Sequence, residues 1–167
     1  MKPHTLSVIV ENKAGVLSRV TGLFSRRGFN IESLAVGTSE EPGMSRITIV
    51  VIGDDAQIEQ VMKQLNKLID VIKVSDITEN ERVERELALI KVNAEPGTSR
   101  AEIMQIASIF RAQIVDLGSK SVILQVTGDT EKIDALEKLL RQYGVKELVR
   151  TGRIAILRGA KTVASLK

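Results

Sequence analysis

The residues best suited to chemistry form one short run, Glu11-Asn12-Lys13-Ala14-Gly15, leading directly into Val16-Leu17-Ser18-Arg19. Asn12 offers both a donor and an acceptor. Gly15 lets the backbone approach a ligand closely. Val16, Leu17, Val20, Leu23 and Phe24 recur at helical spacing, so a helix begins near Gly15, with Asn12 expected as its cap. The unpaired N–H groups of a helix's first turn, with the dipole behind them, suit a carboxylate or a phosphate. This run therefore reads as a sensor of a small anionic metabolite that performs no reaction. The same residues also suit a plain N-cap and turn.

Catalytic constellations are hard to assemble from the remaining residues. The chain has no Cys and one His in 167 residues, which excludes thiolate zinc sites, disulfides and a Cys nucleophile. His4, near the start, is expected at the surface. Asp54-Asp55 reads as a helix start, since no third ligand follows at metal-binding spacing. Gly118-Ser119-Lys120-Ser121 reads as a hairpin turn and lacks the spacing of a phosphate loop. Arg26-Arg27-Gly28 is a helix stop.

The elements that must position the loop follow from periodicity. Leu6 to Val10 is a buried strand and Asn30 to Gly37 a second. Arg46 to Ile52 forms a hairpin with it, across the turn-rich Thr38 to Ser45. A helix opened by Gly53-Asp54-Asp55 carries Ile58, Val61, Met62, Leu65 and Leu68 on one side, and Val71 to Ile77 closes the unit. The order β-α-β-β-α-β is the split-βαβ, ferredoxin-like arrangement. It then repeats. Leu87 to Asn93 is a strand, and Ala94-Glu95-Pro96-Gly97 matches Asn12-Lys13-Ala14-Gly15 in position. Ile114-Val115-Asp116-Leu117 echoes Ile31-Glu32-Ser33-Leu34, and Gly128-Asp129-Thr130 echoes Gly53-Asp54-Asp55. One long strand, near Val145 to Leu157, is expected to end the repeat. Gly15 to Gly97 spans 82 residues but Gly53 to Gly128 spans 75, so the second copy has the shorter hairpin. The fold class is thus α+β, two tandem ferredoxin-like βαββαβ units. The expected division is 1–78 for the effector-binding, dimer-forming domain and 79–85 for a linker. Residues 86–161 then form the second domain and 162–167 a tail.

Composition narrows the partners. Apolar residues make up 43% of the chain but aromatics only 2%, so Val, Ile and Leu fill the core. Residues 1–80 hold 9 Lys and Arg against 10 Asp and Glu; residues 81–167 hold 15 against 11. Tyr143 is the single Tyr and there is no Trp, so platforms for stacking bases are lacking and no nucleic-acid partner is expected. The basic second half suits a solvated face or an acidic protein. No run is long enough to span a membrane or resembles a signal peptide, so a cytoplasmic location is expected. Helices on one side of each sheet leave the other needing cover. Ile47, Ile49 and Val51 are expected on that uncovered face, and a symmetric homodimer is expected to supply the cover.

The run Glu-Asn-Lys-Ala-Gly-Val-Leu-Ser-Arg-Val from Glu11, continued by Gly-Leu-Phe-Ser-Arg-Arg-Gly-Phe-Asn-Ile-Glu-Ser-Leu-Ala-Val to Val36, resembles the ACT domain. With Val83-Glu84-Arg85-Glu86-Leu87, it is most similar to the regulatory (small) subunits of acetohydroxyacid synthase, also called acetolactate synthase. The resemblance reaches to about Lys161. It implies a non-catalytic subunit that binds and activates a catalytic large subunit and confers feedback inhibition by valine, or another branched-chain amino acid, bound between two chains. It implies Asn12, Ala14, Gly15 and Val16 at the ligand's carboxylate, with Asn30 and Ile31 reaching the ligand or the opposing loop. No cofactor or metal is implied for this chain; thiamine diphosphate, Mg and FAD are implied for the catalytic partner. Many ACT loops have Pro before the glycine, where this chain has Ala14. Two other classes fit the same residues less fully, a stand-alone amino-acid-sensing ACT protein and a nucleic-acid-binding ferredoxin-like protein.

Overall fold

A computed structural model describes residues 1–166. The chain divides into two compact units, residues 1–83 joined by the stretch from 153 onward, and residues 84–152. In the first, β1 (Lys2–Glu11), α1 (Val16–Arg26), β2 (Ile31–Thr38), β3 (Met44–Gly53), α2 (Asp55–Leu65) and β4 (Val71–Asp76) follow the expected order. The sheet runs β2-β3-β1-β4, all antiparallel. The second unit repeats this with β5 (Arg82–Asn93), α3 (Thr98–Ile109), β6 (Gln113–Leu117), β7 (Ser121–Gly128), α4 (Thr130–Leu140) and β8 (Val145–Arg150), in the order β6-β7-β5-β8. Two tandem ferredoxin-like units are what the periodicity required.

Each helix folds where its apolar stripe can be buried. Val16, Val20, Leu23 and Phe24 of α1, with Ile58, Val61 and Leu65 of α2, meet Leu6, Val8, Val10, Ile47, Ile49 and Val51 of the sheet. Phe29 sets its ring edge-on to Phe24 at 6.4 Å. α2 starts where the sequence places it. Asp54 accepts from the Gln57 N–H, and the Gln57 side chain caps in return. In the second unit Ile103, Ala107, Ile133, Leu136 and Leu140 do the same over Ile90, Val92, Leu124 and Val126. Gly118 and Ser121 close the β6–β7 hairpin as a turn.

Four expectations give way here. Ile47, Ile49 and Val51 belong to the helix-covered face, because Val8, Leu6 and His4, their partners across the β1–β3 ladder, also point toward the helices. The opposite face presents Thr5, Ser7, Thr48, Val50 and Ser75, all buried. Second, no continuous strand runs from 145 to 157. It breaks after Arg150, Gly152 turns at φ 85°, and a separate β9 (Ile154–Leu157) follows. Third, residues 153–161, expected in the second domain, return to the first unit. Ala155, Leu157 and Val163 bury themselves against Ile9 and Ile77, with Leu166 beside them. Polar ties hold the same stretch. Arg46 Nη2 donates to the Ala155 carbonyl at 2.8 Å, and the Arg153 N–H to Ser33 Oγ at 2.7 Å. Lys73 Nζ reaches the carbonyls of Ala164 and Leu166. The chain's own C-terminal stretch therefore covers the face for which a second molecule was expected.

Fourth, His4 is only 2% exposed. Its Nδ1 lies 2.8 Å from Asp76 Oδ2 and its Nε2 3.4 Å from Asp55 Oδ1, so strand position carries it inward between two acids. Burial, the largest influence, would raise the Asp76 carboxyl. The Thr78 hydroxyl and amide and the His4 ring outweigh it and hold that carboxyl below its ordinary value.

Two outcomes are expected. Because Asp76 is depressed on folding, its contribution is full above the ordinary carboxylate range and disappears as pH falls through it, from about pH 5 downward. Urea melts of Asp76→Asn should therefore show a flatter loss of stability with acid than the parent; parallel curves would refute the linkage. Leu157→Ala should cost roughly 2–4 kcal/mol. Hydrogen exchange should place that loss in β1 and β4, both distant in sequence from Leu157.

Candidate functional site

The loop from Glu11 to Gly15 leaves the sheet at the end where β1 pairs with the start of β3. Glu11 donates its N–H to the Asp70 carbonyl and Asn12 to the Gly43 carbonyl, each at 2.9 Å, so both sides of the loop are pinned to neighbouring turns. Asn12 does not cap α1. Gly15 takes that position at φ 83°, a left-handed conformation costing an L-residue roughly 1 kcal/mol or more, and no side chain caps the helix. That leaves amides free. Among the described residues, the N–H groups of Ala14, Gly15, Leu17 and Ser18 have no protein acceptor. Asn12, Ala14 and Gly15 are exposed, whereas Val16 is 3% exposed and anchors the helix in the core. The result is an exposed set of donors on a rigid base, suited to a carboxylate.

Asn30 and Ile31 lie elsewhere. Ile31 pairs with Val51, which itself pairs with His4, while the loop follows Glu11. Seven residues of strand separate those levels, about 23 Å at ~3.3 Å per residue. Within one chain the two halves of the expected site stand at opposite ends of the sheet.

Sequence reasoning missed two residues beside the loop. Arg19, on the first turn of α1, donates through Nη2 to the carboxylate of Asp70, which is buried in the turn before β4. A Cβ built on Gly15 would lie 3.1 Å from Arg19 Nη1, so this guanidinium overlies the glycine. Arg19 was visible four residues after Gly15. Asp70 gave no local signal, since the two meet across 51 residues.

The second unit's corresponding loop is built differently. Ala94 is fully buried where Asn12 is exposed. Arg100 donates through Nε and Nη2 to the Ala94 carbonyl and through Nη2 to those of Gly118 and Ser119, at 2.6–3.1 Å. The chain's own cation stitches this loop to the neighbouring hairpin. Among the described residues no cluster of His, Asp and Glu could hold a metal ion, and no helix is long and apolar enough to cross a membrane.

Comparison with known proteins matches this duplication. Residues 6–73 fit the family model for an AHAS small subunit-like ACT domain, and residues 85–159 that for the small subunit of acetolactate synthase. A protein of Archaeoglobus fulgidus named "Probable acetolactate synthase small subunit" is 61% identical over 158 residues, 95% of this chain and 98% of that one. The acetolactate synthase small subunit of Mycolicibacterium smegmatis is 50% identical, covering 98% of this chain and 96% of its own. The crystal structure of the acetolactate synthase small subunit from Thermotoga maritima superposes with a TM-score of 0.86 at 46% identity, covering 96% and 100%. A strand–loop–helix turn on an ACT unit, repeated in a second unit where an arginine ties down its carbonyls, is thus the framework of a chain that belongs to the acetolactate synthase small-subunit family.

Proposed function

We propose that this regulatory subunit binds a branched-chain amino acid, valine in the first instance, between the first units of two chains. Through that ligand it sets the activity of the catalytic large subunit it activates. The observation that carries the reading is the separation of the loop from Asn30 and Ile31. β2 lies at the edge of its sheet with Val36 48% exposed. Edge strands invite pairing. If two β2 strands pair antiparallel about a two-fold axis, the start of each meets the end of the other. Asn30 and Ile31 of one chain then approach the Asn12–Val16 loop of its partner, and a ligand-binding site arises that neither chain has alone.

A free amino acid needs donors for its carboxylate, acceptors for its ammonium and an apolar slot. The amides of Ala14 and Gly15 supply the first, the side-chain oxygens of Asn12 and Asn30 the second, and Ile31 a wall for the third. Thiamine-diphosphate chemistry, with Mg and FAD, stays with the large subunit. Inhibition requires that valine bind two states of the assembly unequally, by about 1–3 kcal/mol in typical systems.

Reconstitution with the large subunit, assayed with and without valine, tests the reading. Gly15→Asp sets a carboxylate where the ligand's own belongs and should abolish inhibition while activation persists; retained valine sensitivity would refute the site. Calorimetry should find one valine bound per chain. Asn30→Ala should weaken that binding with an unchanged melting temperature.

A further inference from the structure

A buried acid adjoins the loop, beside the loop's own ion pair of Lys13 with Glu11. Asp70 is 7% exposed and holds both ends of the segment it adjoins. Its carbonyl accepts the Glu11 N–H at 2.9 Å, and its carboxylate accepts from Arg19, whose own N–H donates to the Gly15 carbonyl at 3.1 Å. Arg19 provides the only cation paired to Asp70 among the described residues, and that side chain is half exposed. The carboxylate is thus shielded from water and the guanidinium is not. Poorly solvated charge is weakly screened, and a like charge beside a binding site opposes a ligand strongly.

We propose that Arg19 is a positioning residue for the effector's acid group and that it acts through Asp70. It cancels a buried negative charge that would otherwise repel the incoming carboxylate from the free amides. The inference rests on the reading that this loop receives an amino acid's carboxylate. Arg19 therefore matters for anion binding only while Asp70 carries its charge. A merely structural ion pair would lose and regain affinity in step with thermal stability, whereas this role moves affinity beyond any change in the melt.

Valine titrations of the full chain by calorimetry, each with a thermal melt, distinguish the two. Arg19→Ala should weaken valine at least about tenfold, and the deficit should persist as salt is added, because a buried carboxylate is weakly screened. Adding Asp70→Asn to Arg19→Ala should restore affinity to within about threefold of the parent, as expected when the repelling charge is gone. A double variant as weak as Arg19→Ala, or an Arg19→Ala chain that binds like the parent, overturns the proposal while leaving the site intact. A parent chain that binds no valine overturns both the proposal and the functional reading beneath it.

Discussion

A four-stranded sheet with both helices on one side has a second face, and everything else in the first unit answers to that constraint. The helix side is conventional: Leu6, Val8, Ile47, Ile49 and the stripes of α1 and α2 exclude water from one another. The other side is small and hydroxyl-bearing, with Thr5, Ser7, Thr48 and Ser75 buried, and Ile9 and Ile77 packed against the returning C-terminal stretch. Such a face cannot hold its cover by apolar area alone. Arg46, Lys73 and Ser33 therefore add hydrogen bonds to the backbone of the stretch they bind. Burial lowers the pKa of the Arg46 guanidinium from the usual arginine range; its Nη2 finds the Ala155 carbonyl, while its buried Nε has no hydrogen-bond partner among the described residues.

The same economy shapes the candidate loop. Its outer amides stay free because its flanks are held by other means, the Asp70 carbonyl on one side and Gly43 on the other. A loop so tethered has little freedom left to lose, which is how preorganisation favours binding in general. The second unit shows the alternative solution with the same topology. There Arg100 satisfies the carbonyls around the loop, and Ala94 sinks into the core. Duplication supplied two frameworks, and side-chain chemistry tied the carbonyls of the second to its neighbouring hairpin.

Several features were legible because they depend on neighbours in sequence. The stripes of α1 and α2 predicted their buried faces, and Gly53-Asp54-Asp55 predicted where α2 starts. Other features failed for a common reason. Asn12 looks like a cap when only the following helix is considered, yet Gly15 starts the helix and Asn12 ties to Gly43 through its backbone. His4 looks peripheral at the chain's start, yet the β1–β3 ladder carries it opposite Val51 and between Asp55 and Asp76. The long final strand was broken by Gly152, whose turn is needed only because a distant sheet waits to be covered.

The sequence by itself determined two βαββαβ units, their helical faces and a loop rich in backbone donors. These follow from periodicity and turn chemistry acting over a few residues. Tertiary structure alone decided which sheet face the C-terminal stretch would cover, that Asp70 would meet Arg19, and that Asn30 and Ile31 would stand a sheet's length from the loop. Those outcomes are set by strand register and chain return. Both join residues whose separation along the chain carries no periodic signal.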